Sequence, residues 1–268
     1  MSPVPADPVL LCVGGHDPSG GAGILADAEA ARAYGVHACS VITTLTTQDT
    51  SHLRGLWPQP AEQVEAQCRL LLADSDIRTL KVGLLGSSRI VHVLSELAAE
   101  RPDLPLVLDP VLSTGAGESV ADAALLNQLR KNLIGRCTLI TPNLPEARTL
   151  GTATEPDECA RRLLATGCQW VLITGTHSSE PEVINRLYGR DGSRQEWRWP
   201  RLPGSFHGSG CTLASAIAAR IVRGMDVTAA VAEGQSYTWE TLRRAIRTGR
   251  GQLTPKRLFA LDPPDEAP

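Results

Sequence analysis

Residues 9–34 read VLLCVGGHDPSGGAGILADAEAARAY. Residues 9–13 form a short, nearly continuous apolar run, which is typical of a strand that is buried on both faces. A glycine-rich stretch follows at residues 14–23, and residues 24–34 have the length and composition of a helix. The segment therefore predicts a strand, a tight loop and a helix, which is the first unit of a parallel sheet.

The same order of elements recurs along the chain. Further strands are predicted at residues 39–44, 80–85, 106–108, 138–141 and 170–174, and helices at residues 62–73, 89–100, 121–133 and 158–165. This alternation predicts an α/β fold with a doubly wound, mostly parallel sheet and helices on both faces. Polar and glycine-rich clusters follow the strands. Because ligands bind beyond the carboxyl ends of parallel strands, we expect one site at one edge of the sheet.

The alternation is interrupted at residues 178–203. Two β-prone runs, 183–188 and 196–199, are separated there by the sequence GRDG, and Asp-Gly between such runs predicts a β-hairpin. Two helices are then predicted, at residues 208–223 and 227–246. The proline-rich residues 251–268 are expected to be a loosely held tail. No repeat or linker is visible, so residues 1–268 are interpreted as a single domain.

The composition excludes several classes of protein. Hydrophobic residues make up 42% of the 268 residues and charged residues 21%, which is typical of globular proteins and not of disordered ones. A net charge of −3 gives no basic footprint for nucleic acid. The seven cysteines form no Cys-x-x-Cys pair, which argues against a zinc site or a disulfide framework. Neither a signal peptide nor a membrane-spanning run is visible, so we expect a cytoplasmic protein with no membrane partner.

The strongest local motif is Gly208-Ser209-Gly210-Cys211-Thr212, which opens an alanine-rich helix. Small residues at a helix N-terminus leave backbone N–H groups free, and the helix dipole adds positive potential, so an anion site is one interpretation. The other is a tight helix start in which the glycines only allow close packing. Cys211 lies in the first turn, which predicts a lowered thiol pKa, although a small buried hydrophobe is the alternative. No Walker loop is present, so a lysine clamp on phosphates is not expected.

Several motifs, taken in order, resemble one known family. They are GHDPSGGAGI at 15–24, CSVITTL at 39–45, KVGLL at 81–85, LDPV at 108–111, ITPNLPEA at 140–147 and HGSGCT at 207–212. Together they resemble the hydroxymethylpyrimidine and hydroxymethylpyrimidine phosphate kinases of thiamine biosynthesis, which belong to the ribokinase-like superfamily. The resemblance runs from about residue 9 to about residue 245, and it implies the ribokinase-like doubly wound fold.

The resemblance also implies an activity and a substrate site. The expected reaction is ATP-dependent phosphorylation of 4-amino-5-hydroxymethyl-2-methylpyrimidine phosphate to the diphosphate, together with phosphorylation of the free alcohol to the monophosphate. The residues that it places at the pyrimidine are Gln48, Asp27, Gly15, Val111 and Leu84. A glutamine amide both donates and accepts hydrogen bonds, which suits an aminopyrimidine. The alternative for Gln48 is an ordinary polar residue of a surface loop.

A second group of residues is expected at the nucleotide. By resemblance, Asp109 and Glu146 lie near Mg²⁺, since carboxylates at strand ends hold this ion directly or through its waters. Their alternatives are a turn residue before proline and a helix-start residue. The remaining residues implied at the nucleotide are Asn143, Thr174, Gly208 and Gly210, with Glu146 shared.

The catalytic residues implied by the resemblance are those of the glycine loop. The N–H groups of Gly208, Ser209, Gly210 and Cys211 would hold the transferring phosphoryl group, and Cys211 would take the proton of the alcohol. The phosphate acceptor is already ionised at neutral pH, so the second transfer needs no base.

Four departures from the family pattern bear on the substrate and on ATP. Leu84 replaces a methionine, Thr174 replaces a lysine, Phe206 replaces a small polar residue, and residues 112–117 differ from a lysine-containing loop. Leu84 and Thr174 keep a non-catalytic pyrimidine sensor as one alternative. A pyridoxal kinase is the other, because that activity occurs on the same fold with a similar cysteine-bearing loop. The expected partners are the small-molecule substrates, and the resemblance suggests a homodimer.

Overall fold

The computed structural model describes residues 7–113, 120–176 and 181–261. Within these residues the strands form one sheet in the order β3-β2-β1-β4-β5-β6-β7-β8-β9. The strands are β1 Val9–His16, β2 His37–Gln48, β3 Leu53–Pro58, β4 Ile77–Val82, β5 Leu106–Leu108, β6 Leu139–Ile140, β7 Trp170–Ile173, β8 Glu182–Gly189 and β9 Arg194–Pro200. The α-helices are α1 Gly23–Ala33, α2 Ala61–Asp74, α3 Ser88–Glu100, α4 Ala123–Gln128, α5 Leu144–Gly151, α6 Pro156–Ala165, α7 Ser209–Val222 and α8 Val227–Arg243.

The centre of the sheet is parallel. Strand β1 pairs in parallel with β2 and β4, and the parallel pairing continues through β5 and β6 to β7. Leu11 and Val13 of β1 pack into one hydrophobic core, whereas Leu10 and Cys12 pack into the other. Side chains alternate across a strand, so a run that is apolar at every position is buried on both faces. The predicted doubly wound α/β sheet is confirmed.

The two cores lie under different helices. One core contains buried residues of α2, α3, α5 and α6, and the other contains residues of α1, α7 and α8. Nine residues of α7 are buried. The small side chains of its alanine-rich sequence allow this close packing. None of the described helices is both long enough and apolar enough to cross a membrane.

The predicted hairpin is confirmed, since β8 and β9 pair antiparallel with Tyr188 opposite Arg194. Strand β3 was not predicted. It pairs antiparallel with the end of β2, and its residues are half-buried or exposed, so it lacks the apolar run of a central strand. The helix predicted at 121–133 is divided into α4 and a π-helical segment, Leu129–Leu133. Helix α5 also went unpredicted; it begins with a capping box between Asn143 and Glu146.

The expectation of a loosely held tail is wrong for residues 251–261. Leu253 exchanges backbone hydrogen bonds with Ser205 and His207, each of 2.9 Å. Arg257 is only 2% exposed. Its guanidinium donates to Thr212 Oγ1 at 2.8 Å, to Glu29 Oε2 at 2.9 Å and to the carbonyl oxygens of the glycine-rich loop after β1. The proline content did not reveal this anchor, which is a single charged side chain. The rest of the predicted tail, residues 262–268, lies outside the described residues.

Replacing Arg257 tests this anchor. We expect Arg257→Leu to lower the free energy of unfolding by about 3 kcal/mol, because buried carbonyl oxygens and Thr212 lose a charged donor. Arg250→Leu is the matched control, since Arg250 is exposed, and its effect should stay within about 0.5 kcal/mol. Urea unfolding of both variants and the wild type gives the comparison. Equal effects of the two substitutions would show that the C-terminal segment is not anchored by Arg257.

Candidate active site

A cavity of about 420 Å³ opens at the carboxyl ends of the parallel strands. Loops that follow β1, β4, β5, β6 and β7 all contribute to its wall, as predicted for one site at one edge of the sheet. Every residue that the sequence placed at a substrate, nucleotide, metal or catalytic position lines this cavity: Gly15, Asp27, Gln48, Leu84, Asp109, Val111, Asn143, Glu146, Thr174, Gly208, Ser209, Gly210 and Cys211. The structure thus brings the whole predicted set together. The role of each residue stays a prediction.

The N-terminus of α7 forms one wall of the cavity. Helix α7 begins at Ser209, and Gly208 has a left-handed conformation with φ of 74°. A Cβ at Gly208 would collide with the carbonyl oxygen of Gly21, so this glycine is required for the close approach of two loops. No side chain caps the helix. The N–H groups of Ser209, Gly210 and Cys211 therefore have no helical acceptor, which is the arrangement that binds anions.

Cys211 does not have the lowered thiol pKa that its position predicted. Part of the side chain faces the cavity, but burial raises the pKa of the Cys211 thiol to about 12. The charge of Lys81 acts in the opposite direction, and the carboxylates of Asp109 and Asp27 add to the increase. Desolvation of a thiolate outweighs the helix dipole here, so the thiol keeps its proton at neutral pH.

A buried ion pair lies beneath the cavity. Lys81 of β4 and Asp27 of α1 are both 0% exposed, and Nζ lies 2.7 Å from Oδ1. Ser215 of α7 donates to the same oxygen at 2.7 Å. Burial by itself lowers the pKa of Lys81, but the facing charge of Asp27 raises it above its usual value, so the lysine stays charged. Asp27 is thus partnered within the protein, and its other oxygen, Oδ2, has no hydrogen-bond partner.

Two more carboxylates face the cavity from the ends of β5 and β6. Burial raises the pKa of Glu146 to about 8, and the negative charge of Asp109 adds to the increase. Burial also raises the pKa of Asp109, and its Oδ2 is buried without a hydrogen-bond partner. Glu146 accepts from the backbone N–H of Leu112 at 3.2 Å and of Asn143 at 2.9 Å. Of these two carboxylates, Asp109 is therefore the one with an oxygen that lacks a hydrogen-bond partner.

Gln48 lies at the end of β2, which is on the other side of β1 and β4 in the sheet from the strands that precede these carboxylates. Its Nε2 is 3.3 Å from Nε2 of His207, which in turn is 2.9 Å from Oδ2 of Asp17. Leu84 packs close to Gly15, since a Cβ on Gly15 would lie 2.8 Å from Leu84 Cδ2. Three of the five pyrimidine positions implied by the resemblance, Gly15, Gln48 and Leu84, thus lie near the end of β1 and the loop after it.

The wall beside Thr174 is aromatic. Trp199 and Trp239 are stacked with ring centroids 6.3 Å apart, and Phe206 also lines the cavity. Thr174 follows β7 and forms an isolated bridge with Asn143. Arg201 lines the cavity nearby and donates to the carbonyl of Thr176 at 2.9 Å. An arginine therefore lines the same cavity as Thr174, the residue that replaces the lysine of the family pattern. The differing loop, residues 112–117, lies largely outside the described residues.

Sequence reasoning missed four residues that build this site. They are Asp17, Lys81, His207 and Arg257. Lys81 carried a signal, because a lysine within an otherwise apolar strand needs a buried partner. Asp17 and His207 stood within motifs, but their mutual contact spans 190 residues and no local pattern reveals it.

The fold and site define a class of protein. A doubly wound sheet that presents a glycine loop at a helix N-terminus, next to buried carboxylates at strand ends, is the architecture of the ribokinase-like kinases. Pyridoxal kinase of Bacillus subtilis, solved as an ADP complex, superimposes with a TM-score of 0.87 over 96% of this chain and 100% of that chain. At 23% sequence identity this likeness shows the fold.

Sequence comparison identifies the family within this class. The family model described as phosphomethylpyrimidine kinase matches residues 17–256, so the chain belongs to that family. The hydroxymethylpyrimidine/phosphomethylpyrimidine kinase of Streptomyces coelicolor is 36% identical over 257 residues, covering 93% of this chain and 94% of the relative. The solved phosphomethylpyrimidine kinase of Clostridium difficile is 29% identical, with a TM-score of 0.76 over 88% of this chain and 99% of that chain.

The buried ion pair gives a prediction about stability. Lys81→Met should lower the free energy of unfolding by about 3–5 kcal/mol, because it leaves the charge of Asp27 buried and unpaired. The double variant Lys81→Met/Asp27→Leu should be more stable than the single variant, since the pair is then replaced by apolar groups. Lys131→Met, at an exposed lysine, is the control. A double variant no more stable than Lys81→Met would contradict the charge argument.

Proposed function

We propose that this protein transfers the γ-phosphoryl group of ATP to 4-amino-5-hydroxymethyl-2-methylpyrimidine phosphate, giving the diphosphate, and to the free hydroxymethylpyrimidine, giving the monophosphate. One observation carries the proposal: the anion-binding N-terminus of α7 and the amide of Gln48 line the same cavity. A phosphoryl group and a hydrogen-bonding ring can therefore be held together. Membership of the phosphomethylpyrimidine kinase family supports this substrate over pyridoxal.

The residues around Gln48 support a pyrimidine site. Gln48 presents an amide to the cavity, Leu84 and Val111 present apolar surface, and Gly15 allows Leu84 to pack close to the loop after β1. Lys81 and Ser215 both donate hydrogen bonds to Asp27, which fixes its position and keeps it charged. Asp27 therefore contributes to the substrate site through its charge. The lysine keeps a fixed positive charge beneath the place where phosphates bind.

Mg²⁺ and the phosphates of ATP fit the other end of the cavity. Asp109 offers a buried oxygen without a partner, which is what a hard cation requires. Glu146 and Asn143 hold the neighbouring loop through their capping box, and Glu146 retains lone pairs for a water of the ion. When bound there, Mg²⁺ would neutralise negative charge on the phosphates of ATP. In the part of the chain that the structure describes, no third carboxylate, histidine or cysteine completes a metal cluster, so the other ligands would be phosphate oxygens and water.

The nucleotide itself fits the aromatic wall. Trp199 and Trp239 present ring surface that suits a purine base, and Arg201 supplies a positive charge beside Thr174. Asn143 and Thr174 form the floor between base and phosphates. Retention of a phosphoryl cradle argues against a non-catalytic sensor, because a protein that only binds a pyrimidine needs no such loop.

The two transfers differ in whether the acceptor must lose a proton. In each, an acceptor oxygen forms a bond to the γ-phosphorus while the bond to the β–γ bridging oxygen breaks, and ADP leaves. The N–H groups of Ser209, Gly210 and Cys211 hold the phosphoryl oxygens. A phosphate acceptor arrives ionised, whereas the alcohol must lose a proton. Cys211 is protonated and is hydrogen-bonded to Asp109. It therefore accepts the alcohol proton only as its own proton moves to Asp109.

We also propose that residues 1–268 form one kinase domain, because a single sheet links its first and last strands. The cytoplasmic location and the homodimer stay predictions. The exposed side chains of Leu45 and Trp57 on the edge formed by β2 and β3 are compatible with a contact between two copies.

A coupled assay of ADP release tests the function. The purified protein is given the pyrimidine monophosphate, the free hydroxymethylpyrimidine and pyridoxal as separate acceptors with ATP and Mg²⁺. We expect kcat/KM to be highest for the monophosphate, because its transfer requires no proton relay, and lowest for pyridoxal. A preference for pyridoxal would replace the proposed function with that of a pyridoxal kinase. Binding of the pyrimidine without any ADP release would support the sensor.

Cys211→Ala separates the two transfers. Loss of the thiol should lower kcat/KM for the alcohol by roughly the 10²–10⁴ that general base catalysis contributes. The monophosphate should lose far less, since alanine preserves the backbone N–H groups. Cys39→Ala is the matched control, because Cys39 is the other free cysteine that is not fully buried. Equal losses with both acceptors would remove Cys211 from the proton relay and leave it as a packing residue of the loop.

A further inference from the structure

Asp17 is held rigidly beside the pyrimidine end of the cavity. It is 2% exposed and directly follows β1. Its Oδ1 accepts from the backbone N–H of Ser19 at 2.8 Å, and its Oδ2 accepts from the backbone N–H of Ala22 at 2.8 Å. His207 Nε2 lies 2.9 Å from the same Oδ2. With donors on both oxygens, the carboxylate has one orientation.

The contact with Asp17 determines which ring nitrogen of His207 carries a proton. An ionised carboxylate only accepts hydrogen bonds, so Nε2 of His207 must carry a hydrogen and donate it to Asp17. Hydrogen bonds from His207, Gln48 and Ser19 together hold the pKa of Asp17 below its usual value, although burial alone would raise it. Asp17 is therefore ionised at neutral pH, and the position of the His207 proton is fixed.

These charges decide which way the Gln48 amide faces. Gln48 Nε2 is 3.3 Å from His207 Nε2, which has no lone pair left to accept a hydrogen bond. The amide N–H is instead attracted to the nearby carboxylate of Asp17, whose Oδ2 lies 2.9 Å from the same histidine nitrogen. If the amide turned over, its oxygen would face that carboxylate and be repelled. The amide nitrogen therefore faces Asp17, and Oε1 faces away from it.

We propose that Asp17, together with His207, is a positioning residue that fixes the Gln48 amide and thereby makes the site select a ring with an exocyclic amine over the same ring with a carbonyl. The amine of the ligand donates to the fixed Oε1, and the second hydrogen of Nε2 donates to a neighbouring ring nitrogen. The 4-oxo analogue presents the reverse order, an acceptor followed by an N–H donor. A free glutamine could turn over to match it, but Gln48 is prevented from doing so.

This inference rests on the proposed function for the identity of the ring, so binding is measured apart from turnover. The probes are 4-amino-5-hydroxymethyl-2-methylpyrimidine and its 4-oxo analogue, and calorimetry gives Kd for each. We expect the wild type to bind the amine more tightly by at least about tenfold, because the analogue leaves polar groups unpaired. Wild type that binds both equally, or binds neither, overturns the inference. Tight, selective binding with no ADP release overturns only the proposed function.

Asp17→Asn is the variant that tests the positioning role. An asparagine keeps the size of the side chain but offers both a donor and an acceptor, so either face of the Gln48 amide is accommodated. The preference for the amine should fall by about tenfold, through tighter binding of the 4-oxo analogue as well as weaker binding of the amine. A role in loop stability alone would weaken both ligands equally. Thermal unfolding checks that the variant is folded. Asp17→Ser, whose hydroxyl also donates or accepts, repeats the test if Asp17→Asn does not fold.

Two further variants complete the test. Asp49→Asn is the matched control: Asp49 lies next to Gln48 in sequence, but its side chain is 69% exposed, and its partners among the described residues are Ser51 and His52. It should leave the preference unchanged. Gln48→Ala should abolish the preference, and adding Asp17→Asn to it should change nothing more, because Asp17 acts through Gln48. An undiminished preference in Asp17→Asn, or an additional effect in the double variant, would refute the proposal.

Discussion

The ion pair between Lys81 and Asp27 is the constraint on which the rest of the site depends. It joins β4 to α1, and Ser215 joins α7 to the same carboxylate oxygen. A charge that is 0% exposed is tolerated only with a partner, so these three elements can approach in one way. A Cβ on Gly83 would lie 2.9 Å from Lys81 Nζ, and the glycine leaves that space to the ammonium group. The loop after β4 and the N-termini of α1 and α7, which all line the cavity, belong to the elements that this pair joins.

The electrostatics of the cavity follow from one lysine facing several carboxylates. Lys81 is paired with Asp27, and its charge acts to lower the pKa of Asp109 without offsetting the effect of burial. Burial raises the pKa of Asp109 and of Glu146, and a neighbouring negative charge adds to each increase, that of Asp27 for Asp109 and that of Asp109 for Glu146. A site of this kind favours the entry of a cation with its anionic ligand, which is the form in which Mg²⁺ and a nucleotide arrive. Burial also keeps the thiol of Cys211 protonated, and the charges of Asp109 and Asp27 add to the increase in its pKa.

The opposite end of the cavity is governed by hydrogen bonding rather than by net charge. Asp17, His207 and Gln48 come from the loop after β1, the segment before α7 and the end of β2. The C-terminal segment supports this arrangement, because Leu253 pairs with the backbone of His207 and Arg257 holds the glycine-rich loop. Pyridoxal kinases share the fold, so the choice of ring must depend on such local contacts and not on the architecture.

The sequence by itself determined the alternation of the central strands and helices and the parallel core, and its resemblance to a known family supplied the set of residues expected at the cavity. The alternation could be derived because apolar runs such as residues 9–13 are local patterns. A single site was expected because loops that follow parallel strands meet at one edge. Strand β3 and the anchored C-terminal segment escaped it, since their stability comes from pairing with distant residues. Only the tertiary structure decided the protonation of Cys211, the partner of Lys81 and the orientation of Gln48. Each of these depends on desolvation or on a contact between residues far apart in the chain. Local sequence patterns predict neither of them.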